Sequence, residues 1–495
     1  MNQRKLIPVL LAALFATPAA HASVDLIAIG SISGSYEDLS VGTAAPLENG
    51  VPGNRLGGIG SGLAYAGCNR FIAVPDRGPN AVAYDSAIDD TTSYINRFHT
   101  LHLSLAASDA GAALPFTLTP FLTRTTLLSS HTPLVYGSGA GLGVGSGEPA
   151  LNAAHHTHYF TGRSDNFDPA QASTNPSDAR FDPESVRVSS DGETVYISDE
   201  YGPYVYQFER KTGRRVRSFA LPAKFAISNL NPVGSVEISG NTSGRVANKG
   251  MEGLAITPDG RTLVGVMQSP LIQDGGTDGA TTRIITIDIA TGATREYAYP
   301  FTNIGTAPKP KFGTVSDIVA INSHEFLVDE RDGKGLGDDS VAAFKRIYKI
   351  DLAGAQDVSG INGAANLAPK AIAKTLFLDV VAALNAHGIA SQDIPAKLEG
   401  LALGPDVVVG SVTKHTLFIA NDNDFVATVT DTHHPAGMDN PNKFFVFAID
   451  AADLPDFAPQ RLEANEHCDR QHSHHDRDDR HDRDSDDRDG DDRRR

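Results

Sequence analysis

An all-β chain folded as a single β-propeller is what the sequence predicts, on three observations. One hairpin pattern is written repeatedly along the 495 residues. Nearly every copy opens with an acidic residue, and the copies are spread evenly enough to favour one large domain over two. Each copy is a short apolar alternation, a polar turn and a second alternation, which reads as two antiparallel strands.

Taken in chain order, residues 1–22 read as a signal peptide. Arg4 and Lys5 precede the apolar run Leu6 to Phe15, and Ala20-His21-Ala22 fits a cleavage site. The run is too short to span a bilayer, and no other segment approaches that length. The propeller domain is expected over 23–455, in a periplasmic or secreted protein. The first copy, GSGLAYAGCNRFIAVPDRG from Gly60, offers Ser61 with Asp76 and Arg77. Alternation over Tyr94 to Leu128 supplies outer strands to that blade. The Gly-rich stretch Leu134 to Glu148 lacks a following amphipathic helix, so it reads as a loop and not a nucleotide site. His155, His156 and His158 could place two imidazoles on one strand face, a pattern shared by ordinary surface strands.

The second copy, DPESVRVSSDGETVYISDEYG, starts at Asp182 and sets Glu184 beside Asp199 and Glu200. The third, NKGMEGLAITPDGRTLVGVMQSP, sets Glu252 beside Gln268. The fourth, SDIVAINSHEFLVDERDG, sets Asp317 beside Asp329 and Glu330. Helical spacing over Leu376 to His387, with Asp379 near its start, marks an insertion outside the ring. The fifth copy, KLEGLALGPD with TLFIANDNDF, sets Glu399 beside Asn421 and Asp422. From 456 the chain reads as a low-complexity Asp/Arg/His tail with too little apolar surface to fold. Cys68 and Cys468 are either two free thiols or a disulfide fastening the C-terminal segment to the first blade.

Radial hairpins bring their acid-bearing edges to one mouth of a central channel. Crowded carboxylates repel and raise one another's pKa values, so a cation is the expected answer, and hard oxygen ligands favour calcium or magnesium over zinc, calcium being the ion expected here. Glu184, Glu252, Asp317 and Glu399 are the expected inner ligands, with Asp76, Glu200, Glu330 and Asp422 beside them. Arg77, Arg180, Lys249 and Arg331 are the expected catalytic cations, neutralising an anionic group. Structural ion pairs between these same bases and acids are the competing reading. A formal net charge of −18 argues against nucleic acid or an anionic membrane as partner. No G-x-S-x-G elbow, HExxH or paired CxxC is present, so no protein nucleophile or zinc site is indicated.

The segments RFDPESVRV, NKGMEGLAITPDGRTL, SDIVAIN with FLVDERD, KLEGLALGPD, ANDNDF and VPDRGPN resemble the phytase-like family with esterase-like activity, over about Leu26 to Ile449. The resemblance implies a six-bladed propeller in exported bacterial proteins, with a sixth hairpin hidden between Tyr94 and Arg180. Ser185 departs from the usual Gly of the DPE-Gly pattern, and Gln268 stands where an acid is common. The expected activity is calcium-dependent hydrolysis of a small phosphate or carboxylate ester by a monomer. In that role calcium would polarise the ester oxygen and lower the pKa of a bound water. The alternatives are a non-catalytic propeller that uses calcium for rigidity, and a lactonase-type hydrolase.

Overall fold

The computed structural model describes residues 24–81, 91–139, 145–153 and 156–463. The expected signal peptide and His155 lie outside that range. Five antiparallel sheets make up the body, four of them four-stranded and one with a fifth short strand, Val407–Val409, at its side. The first blade runs from the channel outward as Gly62–Tyr65, Arg70–Val74, Arg97–Ala107 and Phe116–Leu127. The second is Pro183–Val188, Thr194–Asp199, Tyr204–Glu209 and Arg215–Ala220. The third is Met251–Ile256, Thr262–Met267, Thr281–Asp288 and Thr294–Pro300. The fourth is Thr314–Ala320, Glu325–Arg331, Lys345–Asp351 and Lys374–Asp379.

The fifth blade is assembled from both ends of the domain. Lys397–Leu403, Val412–Asp422 and Asn442–Asp450 are completed on the outside by Val24–Ile32, which pairs antiparallel with Asn442–Asp450. The inner strands then neighbour one another in a closed cycle, first to second and round to fifth and first. A separate apolar core fills each of the five interfaces. Phe71 and Phe418 meet between the fifth and first blades, Val186 and Ile72 between the first and second, and Leu254 and Tyr196 between the second and third. Ile318 and Val264 meet between the third and fourth, and Leu398 and Leu327 between the fourth and fifth.

The expectation of six blades is therefore corrected to five. Between Tyr94 and Arg180 the outer strands of the first blade appear as predicted, and the other described residues hold only loops, a 3-10 turn at Ala150–Ala153 and one short ladder joining Ser129–Ser130 to His158–Tyr159. Gly-rich and polar sequence there offers no second apolar alternation from which to build a hairpin. The helix expected over Leu376 to His387 is found only at Val380–Ala386, because Leu376 to Asp379 finish the outer strand of the fourth blade; Asp379 caps the helix by accepting from the Ala382 N–H at 3.1 Å.

A second correction concerns the C-terminal segment, which does not leave the body at 456. Its backbone N–H groups cross the far end of the propeller, Ala458 donating to Ile321 O (2.9 Å), Arg461 to Pro258 O (3.0 Å) and Glu463 to Ser190 O (3.0 Å). Leu462 is buried in the core between the first and second blades. Cys68, at the turn of the first blade, is disulfide-bonded, while Cys468 and the rest of the tail from 464 lie outside the described residues.

Candidate metal centre at the channel mouth

Strand register decides which side chains reach the mouth. Val186, Leu254, Ile318, Leu401 and Leu63 pair respectively with Ile197, Gly265, Val328, Ile419 and Ala73, so these ten positions are equivalent. A bulge interrupts the inner strand just before this point in the second to fifth blades. Counting back two residues gives Glu184, Glu252, Ser316, Glu399 and Ser61. Counting forward three on the partner strands gives Glu200, Gln268, Arg331, Asp422 and Asp76. All of these but Ser316 and Ser61 line one cavity of about 310 Å3, together with Arg77, Asn248, Lys249, Thr314, Gly333 and Lys397.

Three expected site residues lie elsewhere. In the fourth blade the acids are displaced by one residue from the repeat, and one residue on a strand changes the face. Asp317 falls on the position that is Gly253, Gly400 and Gly62 in other blades, so it turns down the channel axis and away from the mouth. There its carboxylate accepts from Arg187 Nη2 (3.0 Å to each oxygen), Ser185 Oγ (2.8 Å), the Leu401 N–H (2.9 Å) and the Leu254 N–H (3.4 Å). Arg187 Nη1 donates to Leu63 O at 2.8 Å. This one ion pair thus touches the inner strands of all five blades. The glycines beside it are required by space: a Cβ on Gly253 would stand 2.8 Å from the Asp317 Cα, and one on Gly400 2.9 Å from Gly60 O. Burial pushes the Asp317 carboxyl up, against the pull of Arg187.

Glu330 is displaced in the same way into the body of its blade. It accepts from Tyr299 Oη (2.6 Å) and the Thr302 N–H (3.1 Å) and pairs with Lys374. Arg180 misses the mouth altogether, its Cζ standing 3.5 Å from the centre of the Tyr201 ring in a separate cleft with Phe167 and Asp178. Arg77, Lys249 and Arg331 do line the cavity.

Each of those bases is engaged. Arg77 reaches Asp182 at 3.3 Å and Asn248, Lys249 donates to Gln268 at 2.9 Å, and Arg331 pairs with Glu399 while donating to Ser316 Oγ at 2.7 Å. Lys397, not singled out by sequence, pairs with Asp422 at 2.8 Å and with Asp424. Asp182 and Asp424 were also missed. Both stand within the repeated segments, and both complete acid triads: Asp182, Glu184 and Glu200 offer oxygens within 4.8 Å of one another, as do Asp76, Asp422 and Asp424.

Burial drives the electrostatics. Glu184, Glu200 and Glu252 are 7%, 1% and 3% exposed. Desolvation pushes all three carboxyls up, and mutual repulsion adds to it, Glu252 acting on the first two and Glu399 on Glu252. Asp76 and Asp422 are raised by burial as well, with Asp422 adding to the first and Lys397 opposing in the second. Two oxygens, Glu200 Oε1 and Glu252 Oε2, are buried with no hydrogen-bond partner. Orphaned acceptors beside a third carboxylate suit a hard cation with oxygen ligands, so the residues present fit calcium.

Residues 54–425 match the phytase-like family, described as "esterase-like activity of phytase". The chain belongs to this family. A curated relative, an uncharacterized secreted protein of Arthroderma benhamiae, is 33% identical over 137 residues, spanning 24% of this chain and 26% of that protein. The chain therefore matches only about a quarter of that relative's length. Among solved structures, the periplasmic gluconolactonase of Pseudomonas aeruginosa is 10% identical, with 81% of this chain and 92% of that one covered at a TM-score of 0.31. The major allergen of Malassezia sympodialis is 13% identical, with 82% and 80% covered at 0.32. At such scores the likeness carries nothing about chemistry.

Proposed function

We propose that this family member hydrolyses small phosphate or carboxylate esters at the channel mouth, with calcium held by Glu184, Glu200, Glu252 and Asp182. The observation that carries the reading is the pair of orphaned buried oxygens on Glu200 and Glu252, which the protein itself leaves without a donor. Calcium bound there would supply Lewis-acid polarisation of the ester oxygen. The protein's own part is to hold the carboxylates in a dry, fixed arrangement and to line the rim with Arg77, Lys249 and Arg331 near an anionic substrate. The family description supports an esterase-type reaction, and the relative described as secreted, with the expected signal peptide, supports an exported protein.

A second reading is a binding propeller that uses calcium only for rigidity. It is favoured by the engagement of every base at the mouth, Arg331 with Glu399 and Lys397 with Asp422 among them. Purified protein assayed on nitrophenyl phosphate and nitrophenyl acetate, with millimolar calcium and with excess chelator, separates the two. Hydrolysis that chelator removes supports the enzyme. No turnover on either ester leaves the binding propeller, and equal turnover in both conditions removes calcium from the reaction.

A further inference from the structure

On a chain whose charge is −18, the flank between the first and second blades is basic. A groove of about 710 Å3 opens there, walled by Arg70, His102 and Arg124 from the first blade and by Arg210 and Lys211 from the second. Arg70 begins the strand that ends next to the mouth, and Gly192, which also lines the groove, is the turn at the same far end of the second blade. The groove therefore opens on the lower flank, well separated from the acidic cavity.

The arginines there are poorly neutralised by the protein. Arg70 Nε is buried with no hydrogen-bond partner. Arg210 donates to Gly192 O at 3.2 Å, and Arg124 donates to Lys211 O, both of which are uncharged acceptors. None of Arg70, Arg124, Arg210 and Lys211 is in an ion pair among the described residues. The neighbouring Glu209 is taken by Arg214, and Glu193 is the one carboxylate in the groove wall. Burial, then the nearby Arg70, and more weakly Arg124, hold the Arg210 guanidinium below its ordinary value, against the pull of Glu193. Like charges crowded in this way call for an anion.

We propose that this inter-blade groove is a binding site for a small multivalent oxyanion, a ligand bearing two or more phosphate or sulfate groups. Arg70, Arg124 and Arg210 supply forked donors suited to tetrahedral oxyanions. Phe121, 63% exposed at the edge, offers an apolar face to whatever carries the charged groups. A small ligand fits better than an extended polyanion, because the strongly negative remainder of the surface repels a long chain of charge while the groove acts locally.

Titration calorimetry with sodium tripolyphosphate tests this at low ionic strength, with EDTA present so that no metal at the mouth contributes. Binding is expected at a single site and to weaken steeply with added salt. Arg124→Gln and Lys211→Gln should each reduce affinity at least fivefold with unchanged melting temperature, and leave calcium-dependent ester hydrolysis unaltered. Glu252→Gln should bind tripolyphosphate as the parent does. A sulfated disaccharide in the same cell tells phosphate from sulfate esters by the tighter of the two. No heat with tripolyphosphate, or affinity indifferent to both groove changes, overturns the proposal. Tripolyphosphate binding by a parent protein that hydrolyses neither ester would instead count against the reading of the mouth alone.

Discussion

Glu252 concentrates the chemistry of the mouth in one side chain. Its second-strand neighbour Gln268 accepts from Lys249, and its oxygen Oε2 is buried without a hydrogen-bond partner, a position that suits a cation. Glu252→Gln keeps the shape and removes the charge. It should weaken calcium binding by at least roughly tenfold and abolish calcium-dependent hydrolysis while the fold survives. Calorimetry and the nitrophenyl assays read both effects, and full activity in the variant removes Glu252 from the site. Asp178 gives a pH-dependent counterpart away from the mouth. Burial raises its carboxyl to about 7, against hydrogen bonds from the Asp168 N–H and Asn175. A carboxyl held above its unfolded value near 4 binds its proton more tightly when folded. Its contribution is therefore full below pH about 4 and lost as pH rises through about 7. Asp178→Asn should stabilise the protein at pH 8, by roughly 1–2 kcal/mol once partial solvent access is allowed for, and the difference should vanish by about pH 4. Urea unfolding at the two pH values checks it.

At the scale of the strand, the ion pair of Asp317 with Arg187 is the hub on which the inner strands meet. Both partners are buried, and removing one strands the other. Asp317→Ala should cost about 3–5 kcal/mol, read as a lower urea midpoint, whereas a ligand role at the mouth would have cost activity with little loss of stability. This residue also marks the limit of what the sequence makes legible. Hairpins, their order and the mouth positions of Glu184, Glu252, Glu399, Asp76, Glu200 and Asp422 follow from alternation and antiparallel pairing alone. The fourth blade misleads because SDIV and LVDERD look like the acid-bearing repeat while being displaced by one residue, and only the pairing of Ile318 with Val328 reveals it. Properly aligned, Ser316 and Arg331 hold the ring positions there, so the ring carries a built-in base opposite its acids. The departure at Ser185 has the same origin: its hydroxyl donates to the aspartate that the fourth blade sends down the axis. Arg180 could not be placed from sequence, because its loop carries no periodicity and its position is fixed by contact with the Tyr201 ring.

For the whole molecule, five interfaces and five cores explain the blade count, which pattern counting left open because a loop between Tyr94 and Arg180 is long enough to hide a hairpin. Calcium should act at this scale too. An ion bound only when the second and third blades have packed together stabilises the folded ring by mass action, about 2.7 kcal/mol at a hundredfold excess over Kd. A melting scan in calcium against chelator should show an upward shift, and coincident midpoints would leave the carboxylates without their proposed cation. The fifth blade holds a further implication, one of timing. Val24–Ile32 is the first strand of the five sheets in chain order, and its partner Asn442–Asp450 is the last. Until that last strand has been made the first waits unpaired, the ring stays open, and the convergence of acids at its centre is postponed. Such distant pairing makes closure a slow, late event, so the protein can assemble its charged mouth only after the whole domain has been released.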